Sequence, residues 1–209
     1  MAFVLMLALH HTAWAQGIVY GYPQQPIYYS AGVADYETNV DINGDGTPDF
    51  TIISTSSYDA DIAPLGSNSI IAIPEIAPDV GYFVAALSNG VSIGSSLEPI
   101  PGAQWYSQTT DQFGRAAIGS QAQFGGQPVV IGYFAGKPSA YVGFDLVDSG
   151  VNYYGWMQLS NPLNLVYGQV VDWAYESKPD TPIFAGEVPE PSMLALLTLG
   201  ALFALFRRR

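Results

Sequence analysis

Between residues 17 and 187 no stretch keeps a 3.6-residue apolar repeat over three turns, while short runs rich in Val, Ile, Tyr and Phe recur throughout. Clusters of Gly, Asn, Asp and Ser separate those runs: Asn43-Gly44, Asp45-Gly46, Ser88-Asn89-Gly90, Gly125-Gly126 and Asp148-Ser149-Gly150. This pattern excludes a helical core and predicts strands over residues 49–54, 69–73, 81–87, 129–134, 140–146, 153–159 and 170–175. Seven or more short strands with such punctuation make the expected fold all-β, a single β-sandwich or jelly-roll-like domain. The Tyr-rich opening GIVYGYPQQPIYYS is read as a flexible leader or edge segment, and residues 178–187 as a strand end passing into a linker.

At 209 residues the chain is long enough for one domain with a real core, and too short to assume two. Its charge is unevenly placed. All eighteen acids lie between Asp35 and Glu190, where the only bases are Arg115, Lys137 and Lys178, so this region carries about −15. Such a surface repels phosphate backbones, since nucleic-acid affinity rests on Lys and Arg neutralising them, and it excludes nucleic acid as a partner. It suits cations instead. Cysteine is absent, so neither a disulfide framework nor thiol chemistry is available.

Both ends carry apolar runs. The N-terminus, MAFVLMLALHHTAWAQG, has an apolar run followed by Ala13-Trp14-Ala15, whose small residues fit signal-peptidase cleavage after Ala15. It resembles a secretory signal over residues 1–15, although no Lys or Arg precedes the apolar run. At the other end, Pro189-Glu190-Pro191 precedes fourteen uncharged residues from Met193 to Phe206, and Arg207, Arg208 and Arg209 follow. As a helix this run spans about 21 Å, short for a hydrocarbon core of about 30 Å. The arginines place the tail's end in the cytoplasm and the acidic domain outside.

Pro-Glu-Pro, a short apolar helix and a terminal arginine cluster, in that order, resemble the PEP-CTERM sorting signal of exopolysaccharide-producing Gram-negative bacteria. The resemblance implies a domain plan of signal peptide 1–15, ectodomain 16–187 and sorting signal 188–209. It also implies export across the inner membrane and anchoring by a C-terminal transmembrane helix. An exosortase, an integral-membrane transpeptidase-like protease, is then expected to process the tail, leaving the protein at the cell surface or in the extracellular matrix. The stretch from Tyr141-Val142-Gly143-Phe144 through Tyr154-Gly155-Trp156-Met157-Gln158-Leu159 to Trp173-Ala174-Tyr175-Glu176 is similar to the closing part of many such ectodomains, which carry no agreed activity.

One motif carries chemistry. In NVDINGDGTPDFTII, side-chain oxygens fall at Asp41, Asn43, Asp45 and Asp49, Gly44 and Gly46 permit a tight loop, and Thr47 offers its carbonyl. Alternate positions of one short loop supply most of the six to eight oxygens calcium wants. Position 12 departs from an EF-hand, with Ile52 where a bidentate Glu would stand, and the flanks read as strands. The motif therefore resembles the strand-flanked DxDGDG-type calcium loops of extracellular bacterial repeats and integrin-like propellers. A metal-free, Asx-rich hairpin turn is the competing reading.

His10 and His11 both fall in the expected signal, so Ser-His-Asp and Cys-His catalysis and histidine-held zinc are excluded from the mature protein. Carboxylate-pair chemistry of the glycosidase type would have to use Glu75, Glu98, Asp111 or Glu176, and no spacing singles out two of them. Trp105 and Trp173 offer flat faces for stacking on sugars, against core packing as the alternative. The sequence thus points to a non-catalytic, exosortase-processed surface or matrix protein, associated with exopolysaccharide and holding one structural calcium. A carbohydrate-binding module is the second reading and a glycoside hydrolase the third.

Overall fold

The computed structural model describes residues 17–32, 35–56, 59–75, 81–161 and 167–189. In chain order the strands are β1 (Ile18–Gly21), β2 (Ile27–Ser30), β3 (Tyr36–Val40), β4 (Phe50–Ser54), β5 (Asp59–Pro64), β6 (Ser69–Pro74), β7 (Tyr82–Val84) and β8 (Ser92–Ile93). They continue with β9 (Gln104–Ser107), β10 (Ala116–Phe124), β11 (Gln127–Ile131), β12 (Ser139–Asp148), β13 (Val151–Ser160), β14 (Tyr167–Glu176) and β15 (Ile183–Phe184). The chain is all-β among the described residues, as expected. One large sheet runs β1-β14-β13-β12-β6-β7-β10-β5-β4-β3, with β2 added to β14, β9 to β6 and β11 to β10. Strands β8 and β15 form a separate two-stranded ribbon. The expected signal, residues 1–15, and the sorting residues Glu190, Pro191, Arg207, Arg208 and Arg209 lie outside the described residues.

The hairpin β12–β13 organises the sheet. Asp148 pairs with Val151, leaving the two-residue loop Ser149-Gly150 with φ of 51° and 80°. Positive φ at both loop positions is the turn that matches strand twist, so the Asp-Ser-Gly signal closes the hairpin it predicted. Alternation then sorts β13: Tyr154 and Trp156 pack on one face, Met157 and Leu159 on the other. On β14, Leu159 pairs with Val170 but Gln158 with Asp172, so Val171 is an extra residue. That bulge restores parity, and Val170 and Trp173, three apart, reach the same core.

The large sheet folds over on itself. Phe50 of β4 and Phe144 of β12 are far apart in strand order, yet their rings meet at 5.4 Å. Both are fully buried, each contributing about 2–3 kcal/mol through lost apolar exposure. The open side is bridged by β2, where the Ser30 N–H donates to Ser54 Oγ at 2.9 Å and the Gly32 N–H to the Thr55 carbonyl at 2.8 Å. Gly155 is required under the ring of Phe144: a Cβ there would collide with that ring and with the Ala174 carbonyl. A second, smaller core lies on the outer face, where Ile71, Tyr154, Trp156 and Ala174 are covered by Ile93, Ile183 and Ala185.

Two terminal expectations are corrected. The opening is no flexible leader: β1 is the edge strand of the large sheet, as the edge reading expects, but β1 and β2 both pair with β14, and Ile18, Ile27 and Tyr29 are buried. Pro23 and Pro26 hide this continuity, since neither can donate to a ladder and residues 22–26 loop out between the two strands. Nor do residues 178–187 form a linker. Strand β15 pairs with β8, and Ile183 and Ala185 are buried.

Candidate functional site

The loop joining β3 to β4 winds around its own carboxylates. Asp41 Oδ1 accepts the Gly44 N–H at 2.7 Å and Oδ2 the Gly46 N–H at 2.8 Å. Asn43 Oδ1 accepts the Asp45 N–H at 3.0 Å, and Asp45 Oδ1 the Thr47 N–H at 2.7 Å. Gly44 and Gly46 supply the positive φ, 78° and 89°, that lets this tight path close. Asp45 is held below the usual carboxylate range, chiefly by the Thr47 N–H.

Asp49 behaves differently. It is buried, with Oδ2 accepting the Ile42 N–H at 2.8 Å and Oδ1 the Asn68 amide at 3.1 Å. Burial raises its pKa, those hydrogen bonds counteract this, and Asp41 and Asp45 add to the rise. Asp49 thus ties the loop to the body. Among the described residues no three His, Cys, Asp or Glu side chains gather closely enough to hold a metal ion. The free lone pairs around the loop belong to Asp41, Asn43 and Asp45, with the Thr47 carbonyl beside them.

Beside this loop runs an open groove of about 600 Å³. One wall is the 22–26 excursion, with Tyr22, Gln24 and Gln25, and the other is Asp41, Asn43 and Gly44. Ile27, Val40, Ile42 and Trp173 also line it. Tyr22 is 59% exposed and Tyr20 is also exposed. The Tyr20 hydroxyl donates to Asp172 Oδ2 at 2.7 Å, which pushes its pKa up to about 12 and keeps it protonated.

The two tryptophans picked out from sequence lie apart in their packing. Trp173 is only 8% exposed, belongs to the main core, and donates its indole N–H to the Ile42 carbonyl at 3.1 Å. Its place is that of a core residue which braces the β3–β4 loop. Trp105 is half-buried, and one ring face stacks on Tyr154 at 5.8 Å and 24°. Sequence reasoning missed the groove because Tyr20 and Tyr22 stood in the segment read as a leader or edge segment.

Of the four candidate carboxylates two have structural partners, while Glu75 Oε2 is buried with no hydrogen-bond partner among the described residues. Asp111 Oδ1 accepts the Tyr106 hydroxyl at 2.7 Å and the Phe113 and Gly114 N–H groups. Glu176 Oε1 accepts the Lys178 N–H at 2.9 Å, and Glu98 is exposed. A cavity of about 270 Å³ is lined instead by Asp59, Asp61, Arg115, Tyr82 and Phe113. Asp61, 4% exposed, meets Arg115 Nε at 3.1 Å, yet burial outweighs that pairing and pushes its pKa up to about 7.

At the C-terminus the body holds the chain to its last described residues. The Trp156 indole N–H donates to the Glu187 carbonyl at 3.0 Å, and Glu187 Oε2 accepts the Phe184 N–H at 3.0 Å. Ala185 exchanges backbone bonds with Gly90 and Val91 at 2.9 and 2.8 Å. Among the described residues no helix is long and apolar enough to cross a membrane. The described residues form an all-β body, and beyond it the sequence reads Pro189-Glu190-Pro191, an apolar run and three arginines. Residues 187–209 match the family described as the PEP-CTERM protein-sorting motif, and the chain carries that motif. No curated protein and no solved structure matches the chain.

Proposed function

We propose that this chain is an exported, non-catalytic protein of the cell surface or extracellular matrix, associated with exopolysaccharide and processed by an exosortase. The observation that carries this reading is the sorting motif at residues 187–209 joined to an acidic all-β body. Signal peptidase removes residues 1–15 at the inner membrane of a Gram-negative host. The apolar run after Pro189-Glu190-Pro191 then holds the ectodomain, residues 16–187, at the membrane as a transient helix until processing. The folded-over sheet, with its Phe50–Phe144 contact between distant strands, supports the β-sandwich or jelly-roll description. The test is fractionation of a host with an active exosortase, comparing the wild type with a Pro189→Ala, Glu190→Ala, Pro191→Ala variant. The wild type reaches the surface with its tail shortened, and the variant stays in the membrane. Equal behaviour of the two removes the reading.

The loop from Asp41 to Thr47 is the proposed structural calcium site. Its support is the pre-wound backbone: Asp41 and Asp45 each retain unused lone pairs on an exposed acidic loop. Asp41, Asn43, Asp45 and the Thr47 carbonyl would hold the ion, with Asp49 fixing the loop from beneath. Calorimetry with calcium chloride decides, and a wild type giving no heat that Asp45→Ala abolishes would refute it.

Carbohydrate binding is the second reading, favoured by the groove between that loop and Tyr22. Exposed phenol rings beside Gln24, Gln25 and Asn43 offer stacking and hydrogen-bonding partners for sugar hydroxyls, and among the described residues no Lys or Arg lines the groove. Trp105, half-buried with its ring stacked on Tyr154, is the other candidate for the same role. Retention on the host's exopolysaccharide that falls with Tyr22→Ala assigns the groove, a fall with Trp105→Ala assigns that face, and no retention in the wild type dismisses both.

A further inference from the structure

The sorting motif begins where the fold has not yet ended. Residue 187 is the first residue of the motif and is also hydrogen-bonded through its carbonyl to Trp156 and through its side chain to the Phe184 N–H. One residue, Val188, separates Glu187 from Pro189. Immediately upstream, Ile183 and Ala185 are buried in the outer core, and β15 is paired with β8. Phe184, which points the other way, is 53% exposed, as is Val188 in large part.

We infer that the β8–β15 ribbon and the Trp156–Glu187 bond form a latch, and that the enzyme which processes the tail acts on the unlatched state. This rests on the proposed processing. Processing breaks one peptide bond near the Pro-Glu-Pro motif, the acyl half passing to water or to an acceptor amine and the amine half leaving with the tail. An active site that grips several residues on either side of that bond needs residues 185–188 extended and free. In the latched state Ala185 is fully covered and Glu187 is held at both ends. When local opening and closing are fast, cleavage tracks the population of the open form. Each hydrogen bond that must break lowers that population by about fivefold.

The chain has no cysteine, so a single engineered pair tests the latch cleanly. Ser92 and Phe184 are directly paired across the ribbon, and Ser92→Cys with Phe184→Cys locks it when oxidised. The full chain is incubated with membranes that contain active exosortase, and tail loss is followed by mass. We expect the oxidised variant to be processed about tenfold or more slowly than wild type, with reductant restoring the rate. A Gly/Ser spacer of about six residues between Glu187 and Val188 should restore it without reductant, by carrying the motif clear of the body. Oxidised variant processed at the wild-type rate overturns the latch. Wild type left intact, as intact as the variant with Ala at positions 189–191, overturns the processing reading itself.

Discussion

Raising the pH from 5 to 8 should destabilise this body, and Asp61→Asn should remove most of that loss. Residues 16–209 hold no histidine, because His10 and His11 both precede Ala15, and the chain has no cysteine, so few groups of the body titrate in this range. Two carboxyls do. Asp61 is pushed up to about 7 by burial against the partial relief from Arg115, and Asp145 to about 6 by burial with Asp180 adding to it. For a carboxyl whose folded pKa exceeds its unfolded value, the folded state binds the extra proton. Stability is then full below the unfolded pKa and falls as pH rises through the folded pKa. Between pH 5 and 7 Asp61 removes about 1.4 kcal/mol per pH unit, at most about 3 kcal/mol in all. For a body of this size that lowers Tm by about 6–12 °C. Thermal unfolding monitored by circular dichroism at pH 5, 6, 7 and 8, with chelator present to silence the loop, is the assay. Asp61→Asn leaves the smaller slope from Asp145 and any from Asp49, whose burial also raises its pKa, and Arg115 is exposed enough to lose its partner without becoming a buried orphan. A wild-type Tm that is flat or climbs with pH would refute the reasoning.

Other expectations follow from packing and ligation. Gly155→Ala should cost about 2 kcal/mol or more, since the added methyl meets the Phe144 ring and the Ala174 carbonyl, and urea unfolding measures it. Phe144→Ala should cost about 3–5 kcal/mol by opening the contact with Phe50 in the main core. Calcium at a hundredfold excess over its Kd should add about 2.7 kcal/mol to stability, and Asp45→Ala should abolish the gain in the same melt. Tyr22→Ala should leave Tm within about 1 °C of wild type because the ring is exposed, while retention on exopolysaccharide falls.

The parts of the fold legible in sequence were those where local rules agree with the tertiary outcome. Residues 140–146 and 153–159 alternate cleanly and meet at Asp148-Ser149-Gly150, so the hairpin β12–β13 could be read directly, only shorter than it is. Strand β10 could not be. Its AAIGSQAQF is small and polar, and it becomes a strand through its neighbours β5, β7 and β11 rather than through its own residues. Strand β5 opens on Asp59 and Asp61, outside the strands read from sequence, and Arg115 and the cavity wall give Asp61 its buried place. The two prolines at 23 and 26 disguised β1 and β2, and with them the groove. The loop of Asp41, Asn43 and Asp45 was visible because its turns are local, whereas the inward turn of Asp49 depends on Asn68, nineteen residues away. The clamp on Glu187 depends on Trp156, which no local pattern reveals.

The most direct test of the account is the mass of the protein recovered from the surface of a host with an active exosortase. We expect a chain that begins at Gln16 and lacks Arg207, Arg208 and Arg209. Recovery of the surface protein with its arginine-ended tail intact would contradict it, and would make the tail a lasting anchor.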